Sequence, residues 1–484
     1  MRGLGRQGPL GSLGRLGSPG PRRPGEARRA PRPSHTGEVL LTGWGRSTAG
    51  RSRLVAPSGA EELRALIAGK PAAGLLARGA GLSYGDAALN TGGLVVAPVP
   101  SPEAPRIALD AAAGTVRACA SVTFAELLAH TVPHGWLPPV LPGTRHLTVG
   151  GAVAADVHGK NQYREGALAS GLTAVELLDG TGTVRSLTPD REPAAFRATV
   201  GGMGLTGVVL GATLRLLPIR SALLRVTTER AADLDALLAG LAEAAERHRY
   251  AVGWIDGTAG GRSLGRGIVE AGDHLPAPDP RREPAGIRYA PGPVLPAPRL
   301  PFSPVRPLTA RAFNALWYRK APPRREGTVT ASAFFHRLDA VAHWSRALGP
   351  AGIWQYQFVV PDASAPLLAQ VVEGLRRAGA ATFLGTLKRF GAGDGHPLSF
   401  PRAGWSLALD MPAGRRHTAE LLDHFDRQVA AAGGRVYLAK DARMDRGCLR
   451  DMYGPLEDFQ EARAELDPHG VFRSDLGRRL GLCG

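Results

Sequence analysis

Apolar residues along this chain come in short blocks of two rhythms, and the changes of rhythm mark its elements. Residues 62–67 repeat at helical spacing, and Leu75-Leu76-Ala77 read as a buried strand running into a glycine loop. Val95-Val96 and residues 115–120 are further short strands. Thr123-Phe124-Ala125-Glu126 has the spacing of a capping box, which opens a helix that stops near Gly135. Residues 174–178 and 183–187 flank Asp179-Gly180 as a hairpin, and residues 208–216 form another apolar strand. Together these predict a mixed α+β unit over residues 37–220.

Beyond it the pattern changes. A helix over 234–246 is followed by a proline-dense stretch, and residues 272–308 are predicted to form a mobile loop without regular structure. Residues 353–360 then read as a strand and 365–378 as a helix that lines up Leu367, Leu368, Val371, Val372 and Leu375. Strands at 382–390 and 405–411, a helix at 419–432 and a strand at 435–439 complete a β-α-β-β-α-β layer. The second unit spans residues 221–433, and residues 434–484 form a closing segment.

At 484 residues the chain is too long for one core, and its 44% hydrophobic and 21% charged residues are those of a globular protein. No run approaches the roughly 18 apolar residues of a membrane span. The net charge of +17 is concentrated at the start: residues 1–36 hold eight arginines and one acid, Glu26, in a Gly/Pro-rich context that predicts disorder. Arg22-Arg23 has no apolar segment after it, so no signal peptide is recognised. Cys119, Cys448 and Cys483 have neither metal nor redox spacing, and no metal site is predicted.

Two glycine-rich runs carry the candidate chemistry. The first is Ala77-Arg78-Gly79-Ala80-Gly81-Leu82-Ser83-Tyr84-Gly85-Asp86-Ala87. The second runs from Gly143 through Thr148-Val149-Gly150-Gly151 to His158-Gly159-Lys160-Asn161. Their glycines admit close backbone approach and their hydroxyls can bond phosphate, yet neither has Rossmann or Walker spacing. Gly202-Met203-Gly204-Leu205-Thr206-Gly207 fits G-x-G-x-x-G on paper, but it follows a helix and precedes a strand, the reverse of a dinucleotide fingerprint. Only five of 59 basic residues are lysine; Lys70 sits in a turn and is set aside, and Lys160, Lys320, Lys388 and Lys440 mark positions where a deprotonatable ammonium matters. Gln355 and Gln357 share one strand face. They can be satisfied core amides or partners for sugar hydroxyls, and His158 can be a turn cap or a cofactor neighbour.

Two separate cradles for one diphosphate are how flavoenzymes of the vanillyl-alcohol-oxidase type, with PCMH-type FAD-binding domains, hold FAD. The chain resembles that superfamily. Within it, the chain is similar to the decaprenylphosphoryl-β-D-ribose 2-oxidases through Thr42-Gly43-Trp44-Gly45-Arg46, Leu141-Pro142-Gly143-Thr144-Arg145 and Val157-His158-Gly159-Lys160-Asn161. It is also similar through Trp317-Tyr318-Arg319-Lys320, Gln355-Tyr356-Gln357-Phe358 and Ala439-Lys440-Asp441. The resemblance implies a two-part FAD domain, to which residues 434–484 return, and an inserted α+β substrate cap with an antiparallel sheet. It implies FAD contacts along both glycine runs and at Val208 and Tyr437. It further implies a pocket of Tyr84, Tyr318, Gln355, Gln357 and Lys388, with Lys440 as catalytic base and His158 as the alternative. Leu82 stands where covalently flavinylated members carry histidine, so the FAD is expected to be non-covalent. Ala408 stands where relatives often carry a cysteine, so inhibitors that trap that thiol should fail.

The implied substrate is a polyprenylphosphoryl-ribose oxidised at C2, with a short-chain dehydrogenase/reductase partner completing the epimerisation used in arabinan synthesis. The expected place is peripheral, on the cytoplasmic or periplasmic face of a bacterial inner membrane, with the lipid tail under the proline-rich loop. The rival on the same fold is an oxidase of free alditols or aldonolactones. A nucleic-acid-binding role for the arginine tail is not favoured.

Overall fold

The computed structural model describes residues 35–98, 105–283, 286–454 and 456–484. The predicted disordered tail lies outside these except for its last two residues, which begin a strand.

The first part holds two larger sheets and a two-stranded pair of Trp136–Leu137 with Leu217–Pro218. One has four strands in the order His35–Thr42, Ala49–Val55, Leu94–Val96, Leu75–Ala77, antiparallel at its first pair and parallel at the others. The other is antiparallel, in the order Ile107–Asp110, Thr115–Cys119, Val208–Arg215, Leu172–Leu178, Val184–Leu187. The capping box forms as the sequence predicts. The Glu126 N–H donates to Thr123 Oγ1 at 3.2 Å, and the Thr123 N–H donates to the Glu126 carboxylate at 2.8 Å. Thr148 caps the short helix Val149–Ala154 in the same manner, its hydroxyl accepting from the Gly151 N–H.

The second part is built on one eight-stranded antiparallel sheet, and that sheet is one unit used twice. Strands Ile353–Val360, Leu384–Phe390, Gly404–Pro412 and Arg435–Val436, with helices Pro366–Arg377 and Arg416–Ala431, give the expected β-α-β-β-α-β layer. In space its strands lie in the order fourth, first, third, second. Strands Leu223–Ala231, Tyr250–Ile255, Gly267–His274 and Arg324–Thr330, with helices Leu234–Arg247 and Pro307–Lys320, repeat both connection and order. The two copies meet at their second strands, through Gly253 opposite Leu387 and Trp254 opposite Thr386. The first copy lacks the alternation of a half-buried strand: Thr227-Thr228-Glu229-Arg230 and Arg324-Arg325-Glu326 are polar at consecutive positions, and Arg324–Thr330 is an edge strand with no buried residue. Within the proline-dense stretch, Leu295–Pro296 pairs in parallel with Val341–Ala342.

Two features at the end of the sheet place the site. Arg435–Val436 bonds to Phe358 and Val359, so the sheet runs past the expected boundary at 433. The predicted strand over 435–439 stops after two residues. The Lys440 N–H turns back to the Tyr437 carbonyl at 2.9 Å, while the Ala439 carbonyl accepts from the Tyr84 N–H at 3.0 Å. Contact with the first glycine run thus replaces continuation of the strand.

The closing segment lies against the small sheet. The Leu75 N–H donates to Val471 O, the Arg473 N–H donates to Leu75 O, and Phe472 between them is fully buried. Asp467 fixes that turn, its carboxylate accepting from the Val471 and Phe472 N–H groups at 2.7 and 2.9 Å. Phe472→Ala should therefore cost about 3–5 kcal/mol, read as a lowered urea midpoint; an unchanged midpoint would show that the segment's docking contributes little.

Candidate active site

The first glycine run turns away from the end of Leu75–Ala77. The N–H groups of Gly79, Ala80, Gly81, Leu82 and Ser83 meet no acceptor among the described residues, whereas those of Arg78 and Tyr84 on either side do. Five successive free donors in a glycine-rich loop are available to an anion such as a diphosphate. A Cβ on Gly79 would lie 2.3 Å from Thr148 Oγ1, so the two glycine runs touch and form one cradle. A Cβ on Gly85 would lie 1.7 Å from the Asp441 carbonyl oxygen, which makes glycine obligatory where the first run meets the turn after Val436. Arg479 fastens the same contact, pairing both Asp86 oxygens at 2.8 Å and approaching Asp441 at 2.9 Å.

One face of the eight-stranded sheet looks toward this cradle. Gln355 is opposite Asp410, Gln357 opposite Ala408, and Lys388 opposite Ser406, so these side chains share a face. The Gln355 amide donates to both Asp410 oxygens at 3.1 and 2.9 Å and to the Tyr84 hydroxyl at 3.3 Å. Lys440 Nζ stands 3.9 Å from the centre of the Tyr84 ring. The Gln357 amide donates to His158 Nε2 at 3.0 Å and to Ser406 Oγ at 3.3 Å. That leaves the His158 proton on Nδ1, a buried atom with no partner among the described residues. Phe390, Phe400 and Tyr437 surround the imidazole, with ring centres 5.0–5.5 Å away.

Burial sets the electrostatics. It lowers Lys388 to about 8, with no carboxylate paired to it among the described residues. Burial also lowers Lys440 to about 8; the Asp410 charge opposes that shift and Lys388 adds to it. Burial raises Asp410 to about 7 against the opposing pull of Gln355 and Lys440. His158 is pushed far below the ordinary imidazole value by burial and then by the two lysines, so it stays neutral. Tyr84 is raised well above its usual value by burial and by Asp410, so its hydroxyl stays protonated.

Of the residues singled out in the sequence, the structure brings together Tyr84, His158, Gln355, Gln357, Lys388 and Lys440. Tyr318 is elsewhere: its ring lies under Arg230 and Arg266, at 5.4 and 4.6 Å, on the other half of the sheet. Several cradle residues use their side chains structurally. Arg78 donates to the Ala88 and Thr42 carbonyls, Asp86 is paired with Arg479, and Asn161 donates to the Pro139 carbonyl. Lys160 donates to the Phe334 carbonyl at 2.6 Å. Tyr437 donates to the Ala155 carbonyl at 2.8 Å, and Val208 is buried in the five-stranded sheet. Such residues can serve a ligand through backbone or ring faces alone. Asp410 and Ser406 were missed. A lone acid in the apolar run Trp405–Met411, two and four residues from Ala408 and Ser406, was the signal for both.

A family model for an FAD binding domain matches residues 52–188, and one for D-arabinono-1,4-lactone oxidase matches residues 409–480. A decaprenylphosphoryl-beta-D-ribose oxidase of Mycolicibacterium smegmatis is 36% identical over 454 residues, which cover 91% of this chain and 97% of that protein. A Streptomyces coelicolor protein known only by its position in the mprA 5' region is 45% identical over 75% of this chain and all of its own length. An alditol oxidase of a Streptomyces species is 30% identical over 37% of this chain and 42% of its own.

With only five lysines in the chain, reductive ¹³C-methylation followed by NMR titration can resolve them individually. Lys388 and Lys440 should titrate near 8 and Lys160 near 7. Values at the ordinary lysine position of about 10.4 would contradict the desolvated site.

Proposed function

The chain belongs to the decaprenylphosphoryl-β-D-ribose oxidase family, and from that footing we propose that it oxidises the C2 hydroxyl of a polyprenylphosphoryl-β-D-ribose to the 2-keto sugar. FAD is its cofactor. The residues present fit that group: free donors over Gly79–Ser83 suit its diphosphate, and the unpartnered His158 Nδ1 and the Tyr437 ring offer polar and flat surfaces beyond them. Leu82 in place of a histidine supports non-covalent binding. We read residues 37–220 and the segment that follows Val436 as a two-part FAD domain, and the intervening residues, through the strand Arg435–Val436, as the substrate cap built on the doubled sheet.

The observation that carries the substrate reading is the charge balance of the sheet face. Lys388 stands desolvated there with no carboxylate paired to it among the described residues, while Asp410 is the acid whose charge acts on Lys440. A phosphodiester supplies the missing negative charge, and an uncharged alditol does not. Lys388 binds the phosphate, while Gln355 and Gln357 orient the sugar hydroxyls.

Bound FAD supplies the hydride acceptor. Removal of hydride from C2 requires that the proton of the C2 hydroxyl be taken as charge develops. Lys440 does this, since its lowered pKa leaves a substantial neutral fraction near pH 8. His158 is a much weaker base in the same surroundings, and its role is to orient through Gln357. Once protonated, Lys440 is steadied by the Tyr84 ring and by Asp410, which Gln355 holds in place. A short-chain dehydrogenase/reductase then returns hydride to the opposite face of the keto sugar. The reaction belongs on a membrane surface, cytoplasmic or periplasmic, where such a lipid resides. No helix among the described residues is long and apolar enough to cross a membrane.

Turnover should be seen with a short-chain prenylphosphoryl-ribose and an artificial electron acceptor, and be absent with xylitol or arabinono-1,4-lactone. Lys440→Met should lower kcat by about 10²–10⁴-fold, with retained flavin colour. Lys388→Met should act chiefly on KM. Turnover of free polyols with no preference for the phosphorylated sugar would replace this reading by the alditol-oxidase one.

A further inference from the structure

The helix Pro307–Lys320 is built inside out. Its inward face carries Asn314, fully buried, whose amide donates to Asp256 Oδ1 at 3.1 Å and to the Thr382 carbonyl at 3.0 Å. Its outward face carries Leu308, Phe313 and Leu316, which are 80%, 51% and 68% exposed. An ordinary surface helix has the opposite arrangement. Leu295 and Phe302, in the segment leading into the helix, are also exposed, at 67% and 58%. Large apolar side chains left exposed along one helix face and the segment before it are the pattern of an interaction site.

Charge identifies the partner. Between Glu283 and Glu326 the chain has no acidic residue and eight basic ones, among them Arg306, Arg311, Arg319 and Lys320 on or beside the exposed helix face. Exposed apolar side chains set among cations are the pattern of an element that lies in the interface of an anionic bilayer. The surface is also continuous with the site. The Tyr84 ring meets Trp44 at 4.7 Å and Trp44 meets Trp344 at 4.6 Å. A few residues on, Gly349 closes on the backbone of Phe302-Ser303, to within 2.6 Å of a Cβ built on it. An aromatic path therefore leads from the ring beneath Lys440 to the base of the exposed patch.

We propose that the outward face of helix Pro307–Lys320, with Leu295 and Phe302, seats the protein on an anionic lipid surface. The patch then faces the leaflet and the Trp44–Trp344 path is the entry for an apolar tail. This deepens the lipid-substrate reading given above, but it is tested without any sugar lipid, so the two can fail separately.

The full-length flavoprotein should float with vesicles of phosphatidylglycerol and phosphatidylcholine, bind pure phosphatidylcholine far less, and be released as salt rises. The triple variant L308S/F313S/L316S should lower the partition coefficient by about a hundredfold. Its flavin content and its turnover of a short, water-soluble substrate should match those of the unaltered protein. Absence of vesicle binding by the unaltered chain, or equal binding by the triple variant, would overturn the proposal. So would a dimer in light scattering that the triple variant abolishes while vesicle binding stays weak, because the face would then cover a second copy.

Discussion

The contact between Gly85 and the Asp441 carbonyl is the constraint on which the site depends. Three segments remote in sequence meet there: the first glycine run, the turn that ends the eight-stranded sheet, and Arg479 near the C terminus. With any side chain at position 85 the turn would be displaced, because backbone occupies the space a Cβ needs. Since the Ala439 carbonyl is tied to Tyr84 in the same contact, Lys440 is delivered over the Tyr84 ring by backbone geometry. A long flexible side chain is thereby held close to the cradle with little freedom to lose on binding.

Holding two ammonium groups in so desolvated a place is costly, and the fold offsets it only in part. Asp410 is the carboxylate that acts on Lys440, and its own charge is discouraged by burial. Gln355 satisfies both of its oxygens, which favours the ionised form, and Lys440 adds to that. Lys388 has no such partner among the described residues. Asp179, Asp256 and Asp467, also buried, are each paired with an arginine, whereas the unpaired cation at Lys388 points to a ligand that completes the charge balance.

Much of this was legible in the sequence. The glycine runs, the capping box at Thr123, the helix and strand order from residue 353 onward and the two glutamines on one face all follow from local rules of spacing, and the structure has them there. The rest needed three dimensions. The first copy of the doubled unit was hidden because two of its strands are polar at consecutive positions and so lack a strand's alternation. Tyr318 carried the right motif, yet the helix holding it turns that ring under two arginines far from the pocket. Asp410 was passed over because an acid in an apolar strand has meaning only when its cross-strand neighbour is known. The register that sets it opposite Gln355 depends on a pairing between strands fifty residues apart.

The most direct measurement is the visible spectrum of the purified protein under anaerobic conditions, before and after addition of a short-chain prenylphosphoryl-ribose. The account predicts a yellow protein whose flavin band bleaches with the lipid-linked sugar and stays unchanged with the same sugar lacking its prenylphosphoryl group. A flavin that bleaches equally with both, or with neither, would contradict a site organised around Lys388 and Lys440.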